Sequence, residues 1–100
     1  MNNNIVYIVH DDDYNTTKIF KNRHNAIDYM YHKMTEWGAL LIAPPETRFG
    51  NLINLRTAFP EEDSLMIYLY ERNEDELNYI FENYFTYTEA GFEDYSEDAD

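Results

Sequence analysis

The residues best suited to chemistry in this sequence are carboxylates, because the chain has 20 Asp and Glu residues against three histidines and no cysteine. Asp11, Asp13 and Asn15 have the spacing of the first ligands of a calcium-binding loop. Such a loop needs glycine at its sixth position and a bidentate glutamate at its twelfth, where this sequence has Thr16 and Asn22. We therefore predict a solvated hairpin turn here and no metal site.

Catalytic patterns are also missing from the sequence. A chain without cysteine has no thiolate nucleophile and no zinc-thiolate site. Ser64 and Ser96 lack the glycine-flanked strand–turn–helix elbow of a nucleophilic serine, and His24 and His32 lie eight residues apart without a ligand pattern around them. We expect a protein that is not an enzyme and that has no catalytic residue, no cofactor and no metal.

The net negative charge arises in the last forty residues. Residues 1–60 contain six acidic and six basic side chains, whereas residues 61–100 contain fourteen acidic side chains and Arg72 as their one base, which accounts for the whole net charge of −13. Such segregation predicts a field of one sign on one side of the fold. The field would repel nucleic acid and anionic membranes, so we expect a basic protein as the partner and no direct binding of nucleic acid or membrane.

The acidic half contains the candidate binding residues. A helix predicted after Asn73 would turn an outward stripe from Asp75 to Glu82 toward solvent, with Asn78 and Tyr79 between them. The partner-binding residues that we predict are Glu71, Asp75, Tyr79, Glu82, Glu89, Glu93, Asp94, Tyr95, Glu97 and Asp98. The aromatic anchors that we expect among these acids are Tyr79, Tyr87, Phe92 and Tyr95.

The elements that would position these residues begin with a hairpin and a helix. The apolar run 5–9 predicts a central strand buried on both faces, and residues 17–20 predict a second strand after a turn at 11–15. The next pattern is helical, with Asn22 as N-cap and Gly38 as C-cap. The apolar stripe of this helix consists of Ala26, Ile27, Met30, Tyr31, Met34 and Trp37.

The second half of the sequence predicts one more strand and one more helix. Residues 39–60 are left open, and residues 65–70 predict a strand that is apolar on both sides and lies beside the first strand. The helix after Asn73 would turn its apolar face toward the sheet. That face consists of Leu77, Ile80, Phe81, Tyr84 and Phe85.

The order of these elements predicts an α+β fold, ββα(β)βα, with a small antiparallel or mixed sheet of about three to four strands packed against two helices. We expect one domain over residues 1–88 and an acidic C-terminal tail over residues 89–100, whose order the sequence leaves open. The first residues lack a signal peptide and no run is long enough to span a membrane, so we expect a cytoplasmic protein in a bacterial host cell.

The chain resembles the small acidic inhibitors of bacteriophages that mimic DNA and block restriction enzymes, CRISPR effectors, uracil-DNA glycosylase or nucleoid proteins. The resemblance is one of type, in size, in richness in Asp, Glu and Tyr, in the lack of cysteine and in the acidic C-terminal half. It carries no shared motif. It implies an anti-CRISPR protein that blocks binding of the PAM duplex by a Cas effector such as Cas9, or an anti-restriction protein.

Two other hypotheses stay open. The chain could be an antitoxin-like or adaptor module that binds one basic protein by shape, with the acidic residues steering association. It could also be an unspecialised domain whose acidic residues keep it soluble. The oligomeric state and the identity of the target are not predicted by the sequence.

Overall fold

A computed structural model describes residues 5–44, 54–81 and 84–91 of the chain. These residues form three strands and four helices. In chain order the elements are β1 (Ile5–Asp11), β2 (Thr16–Phe20), α1 (Arg23–Trp37), α2 (Leu55–Ala58), α3 (Glu62–Tyr70), α4 (Glu74–Phe81) and β3 (Phe85–Gly91). The fold is α+β, as the sequence predicts.

The sheet is antiparallel, with strand order β2-β1-β3. β1 pairs with β2 over five residue pairs and with β3 over seven. Val6 and Ile8 are buried on one face of the central strand, and Val9 is buried on the other. The prediction of a central strand with two apolar faces is therefore confirmed, as is the hairpin.

The Asp11 carboxylate shapes the turn between β1 and β2. It is 5% exposed and accepts hydrogen bonds from the backbone N–H groups of Asp13, at 3.0 Å, and Tyr14, at 3.1 Å. Asn15 completes the turn with a φ of 53°, in the left-handed region that Asn tolerates better than most residues. Asp11, the first residue of the calcium-loop pattern, thus has a structural role in the hairpin.

Both predicted caps of the first helix are confirmed. The Asn22 side chain accepts hydrogen bonds from the backbone N–H groups of His24 and Asn25 at the start of α1. Gly38 ends the helix in the left-handed conformation, with a φ of 68°. The stripe from Ala26 to Met34 is buried, and α1 packs across β1 and β2.

Residues 65–70 belong to α3, so the strand predicted there is wrong. Leu65, Tyr68 and Leu69 are buried, and their spacing of three and four residues marks one face of a helix. A short apolar run is compatible with a buried strand and with a buried helix. Here Glu62 and Asp63 lie in the first turn, where the helix dipole favours negative charge.

The third strand of the sheet follows α4. The Asn73 side chain accepts a hydrogen bond from the backbone N–H of Glu76 at 2.8 Å, and the Glu76 carboxylate accepts one from the backbone N–H of Asn73 at 3.0 Å, which is a capping box. The helix ends at Phe81, so Tyr84 and Phe85 do not continue its apolar face as predicted. β3 passes through the predicted domain boundary at residue 88 and ends at Gly91.

Residues 39–60, which the sequence left open, are described at their two ends. Ile42 and Asn54 form an isolated antiparallel bridge, and the short helix α2 follows. No helix among the described residues is long and apolar enough to cross a membrane.

Candidate protein-binding surface

The N-terminal end of α3 presents three carboxylates to solvent. Glu61, Glu62 and Asp63 are exposed, at the end of the helix where unpaired backbone N–H groups carry partial positive charge. The partner-binding residues predicted from the sequence do not include them. The signal that could have identified them is the helical spacing of Leu65, Tyr68 and Leu69 immediately afterwards.

Two further exposed carboxylates lie where α3 leads into α4. Glu71 follows the last residue of α3, and Asp75 lies in the first turn of α4. No ion pair is found for any of the five residues within the described part of the chain. The five residues, which we call the α3–α4 acidic surface, are Glu61, Glu62, Asp63, Glu71 and Asp75.

An exposed apolar side chain lies between two of these carboxylates. Ile67 of α3 is 57% exposed, four residues after Asp63 and four before Glu71. Residues four apart are neighbours on one helix face. On α3, an exposed apolar side chain is therefore flanked by the carboxylates of Asp63 and Glu71.

Near Asp75, α4 and the start of β3 enclose an open pocket of about 270 Å³. Tyr79, predicted as an exposed anchor, is half-buried and forms part of its wall. Phe85 is 1% exposed. The residues that line the pocket are Asp75, Asn78, Tyr79, Phe85 and Thr86. This lining offers one carboxylate beside aromatic rings, which suits the side chain of Lys or Arg.

Asn78 does not belong to the outward stripe on which the sequence placed it. Its side-chain amide donates to the Tyr87 carbonyl at 2.7 Å, and its side-chain oxygen accepts from the Tyr87 N–H at 2.8 Å. The Glu74 carboxylate accepts from the next outward-facing N–H, that of Glu89, at 3.3 Å. Side chains of α4 thus cover the edge of β3.

Glu89, a predicted binding residue, is paired inside the molecule. Its carboxylate accepts from Arg23 Nε at 3.0 Å and from the Tyr87 hydroxyl at 2.8 Å. The Arg23 guanidinium also donates to the carbonyls of Tyr70 and Arg72. Arg23 thereby ties the start of α1 to the connection between α3 and α4 and to β3.

Tyr87 is wholly buried, so the prediction that it serves as an exposed anchor is wrong. Burial, together with the hydrogen bond to the Glu89 carboxylate, raises the pKa of Tyr87 well above the ordinary tyrosine value. The alternation of Phe85, Tyr87 and Glu89 places all three on the face of β3 that looks toward the helices.

Several predicted binding residues lie outside the described residues. They are Glu82, Glu93, Asp94, Tyr95, Glu97 and Asp98, together with the predicted anchor Phe92. Of the predicted binding residues that are described, Glu71 and Asp75 belong to the α3–α4 acidic surface.

The arginines outside α1 differ in the partners that they contact. Arg72 lies 3.5 Å from the Glu76 carboxylate and stacks over the Tyr68 ring at 4.3 Å. Arg56 donates to the Tyr31 hydroxyl and to Thr35 Oγ1, so its partners are uncharged. Arg48 lies outside the described residues.

A second open groove, of about 220 Å³, lies between α1 and α3. The Tyr70 hydroxyl donates to the Asp28 carboxylate in its wall. Burial, the hydrogen bond and the negative charge of Asp28 raise the pKa of Tyr70 to about 12. The lining residues are Asp28, His32, Glu62, Asp63, Met66 and Tyr70.

No group of three metal-binding side chains occurs in residues 5–44, 54–81 and 84–91. His10 contacts Thr17 and Asp12, and His24 stacks on Tyr70 with ring centroids 3.9 Å apart. Comparison of the chain with protein-family models, curated proteins and solved structures found no match.

Proposed function

We propose that this protein is a non-catalytic inhibitor that occupies the basic cleft of a nucleic-acid-binding protein, with carboxylates in the positions of DNA phosphates. Cas effectors and restriction enzymes are the target classes to which the resemblance points. The observation that carries the proposal is the α3–α4 acidic surface, where five exposed carboxylates have no internal ion pair among the described residues.

The charge on the described residues is segregated, which supports this proposal. Residues 61–76 contain seven acidic side chains and Arg72 as their one base. The lysines of the described part, Lys18, Lys21 and Lys33, belong to β2, the residue after it and α1. A partner with a basic cleft would therefore meet α3 and α4 first, because its long-range attraction is directed there.

Many weak contacts must add up in such a complex. An exposed ion pair contributes about 0–1 kcal/mol, and duplex DNA presents a phosphate charge about every 1.7 Å along its axis. Binding by the α3–α4 acidic surface would displace ions held near the carboxylates and near the basic side chains of the partner, so it would weaken as salt is added.

Ile67 would add an apolar contact to the charged ones. An apolar side chain that inserts into a dry pocket of the partner contributes most of its free energy once the complex has formed, so it slows dissociation. Charges on the rim mainly increase the association rate. The pocket beside Asp75 can receive a basic side chain from the partner.

The experiment is capture of partners from bacterial lysate, followed by competition with duplex DNA. A supporting partner is a DNA-binding protein that duplex DNA displaces from the inhibitor and that elutes as salt is raised. The triple variant Asp63→Asn/Glu71→Gln/Asp75→Asn should bind this partner at least tenfold more weakly, because three charges of the α3–α4 acidic surface are lost.

The matched control removes three carboxylates elsewhere, as Asp12→Asn/Asp13→Asn/Glu36→Gln. It changes the net charge equally but leaves the α3–α4 acidic surface intact, so binding should change less than about threefold. Equal losses in both variants would show that only total charge matters. A triple variant that binds as well as the natural sequence would refute the proposal.

The adaptor or antitoxin-like hypothesis is the alternative, and the exposure of Ile67 is the observation in its favour. It predicts that Ile67→Ser abolishes binding through faster dissociation, whereas the triple carboxylate variant slows association alone. It also predicts that duplex DNA does not compete with the inhibitor for the partner.

A further inference from the structure

The two outer edges of the sheet differ in whether side chains from the helices hydrogen-bond to their backbone. At β3, the Asn78 amide pairs with both backbone groups of Tyr87, and Glu74 accepts from the N–H of Glu89. These side chains occupy the hydrogen-bonding groups that another strand would need. The edge of β3 is therefore closed to further pairing.

The outward-facing groups of β2 follow from the register of the sheet. The backbone N–H groups of Tyr87 and Glu89 point away from β1. The other alternate residues of β3 therefore form the backbone hydrogen bonds to the even-numbered residues of β1. The odd-numbered residues of β1 then bond to β2, through Thr16, Lys18 and Phe20. Hence the backbone N–H and C=O groups of Thr17 and Ile19 point away from the sheet.

This second edge is open to solvent. Thr16, Thr17 and Lys18 are exposed, and Ile19 and Phe20 are half-buried. No helix among the described residues has a side chain that hydrogen-bonds to the backbone of β2 in the way that Asn78 bonds to β3. A strand laid against this edge would find two donors and two acceptors in place.

The side chains beside this edge are basic. Lys18 lies on the strand itself, exposed Lys21 follows it, and Lys33 of α1 lies on the same side. The Nζ atoms of Lys18 and Lys33 are 5.7 Å and 5.9 Å from the centre of the same ring, that of Tyr29. Among the residues that the structure describes, the one carboxylate paired with these lysines is Glu36, 3.6 Å from Lys33. The edge thus carries a local positive charge in a chain of net charge −13.

We propose that β2 is a docking edge for an extended acidic segment of another protein, which adds to the sheet as a fourth strand. Backbone hydrogen bonds to Thr17 and Ile19 hold the segment, and acidic side chains at alternate positions lie beside Lys18 and Lys33 on the face toward α1. β-Branched residues at the intervening positions pack against Ile19 on the other face.

Charge argues against a second copy of this chain as the occupant. Antiparallel pairing of β2 with its own copy, through Thr17 and Ile19, places the two Lys18 side chains on one face, opposite or diagonal to each other. Like charges in these positions are destabilising. An acidic segment of another protein would be repelled only weakly by the distant acidic residues of this chain, because charges further apart than about 8 Å are largely screened at physiological salt.

The test uses the full-length protein and a probe hexapeptide, acetyl-Glu-Val-Glu-Val-Glu-Val-amide, with the Lys-Val analogue as the opposite-charge control. Binding is followed by NMR amide shifts and hydrogen exchange. We expect the amides of Thr17 and Ile19 to shift and to exchange more slowly with the acidic peptide, while the amides of Tyr87 and Glu89 do not change. The basic peptide should not bind.

Two variants test the two parts of the proposal. Thr17→Pro removes an outward N–H without removing a bond to β1, so it should abolish binding. Lys18→Glu should weaken the acidic peptide about tenfold. Its matched control, Thr57→Glu/Ser64→Glu, changes the net charge by the same two units at exposed positions on α2 and α3 and should change binding less than about twofold.

Several results would overturn the proposal. They are an absence of binding, shifts that map to residues away from β2, equal binding of the basic peptide, or self-association through β2 without peptide. If Thr17→Pro does not fold, the proposal is still tested by peptide binding to the Lys18→Glu variant and by hydrogen exchange of the Thr17 and Ile19 amides in the natural sequence. None of these results bears on the α3–α4 acidic surface, whose function is tested by separate variants.

Discussion

Among single residues, Tyr70 links the fold to pH. Its pKa is raised to about 12 by burial and by the hydrogen bond to Asp28, against about 10 in an unfolded chain. Between these values the unfolded state has lost the proton that the folded state keeps. The contribution of Tyr70 to the free energy of unfolding is therefore fully present below pH 10 and is lost as the pH rises toward 12.

Tyr70→Phe should show this contribution directly. At pH 8 the variant should be less stable by about 1 kcal/mol, because the hydrogen bond to Asp28 is lost. Above pH 10 its stability should decline less steeply than that of the natural sequence. Urea unfolding at several pH values is the measurement, with Tyr14→Phe, at a side chain 70% exposed, as control. Equal declines in both variants would contradict the assignment.

The elements show how much of this fold local sequence can predict. The hairpin and α1 are correct because their signals lie within the segments themselves, in an apolar run, a turn cluster, and caps at Asn22 and Gly38. α3 was mistaken for a strand because its apolar run is short and its period is ambiguous. Its single β-branched residue, Ile67, is weak support for a strand.

β3 carried a signal that the charge pattern obscured. Residues 85–88 alternate aromatic residues with threonine, a period of two that is typical of a strand. The acidic residues after them suggested a tail instead. The role of Asn78 could not be predicted at all, because its amide meets a strand that is set in place by tertiary packing.

The contact between α4 and the edge of β3 allows a prediction about stability. Asn78→Leu keeps a side chain of similar size but leaves both backbone groups of Tyr87 without their partner. We expect a loss of about 1–3 kcal/mol in the free energy of unfolding, measured with urea. Asn25→Leu, at an exposed position of α1, is the control. A change below about 0.5 kcal/mol for Asn78→Leu would mean that the edge does not need this amide.

The candidate site was predicted in part. Glu71 and Asp75 are exposed as expected, since charge at the ends of helices is visible in the sequence. The carboxylates before α3 were missed with the helix itself. Glu89 was assigned to the surface because its partner, Arg23, lies 66 residues earlier in the chain, and no local pattern reports such a contact.

For the whole molecule, the net charge of −13 should oppose folding at low salt. Raising the salt concentration from about 0.01 M to about 0.1 M shortens the Debye length from about 30 Å to about 10 Å. We therefore expect the thermal midpoint to rise over this range, with a smaller rise in Asp63→Asn/Glu71→Gln/Asp75→Asn. A midpoint that falls with salt would show that attraction within ion pairs such as Arg23–Glu89 outweighs repulsion.

The pairing of β1 with β3 also sets the order of events during synthesis. Ile5 at one end of the described chain is registered against Gly91 at the other. The β1–β2 hairpin can form as soon as both strands have left the ribosome. The other edge of β1 has no partner until β3 has been synthesised. Until then the nascent hairpin exposes an apolar ribbon, so the sheet is completed only after β3 has been synthesised.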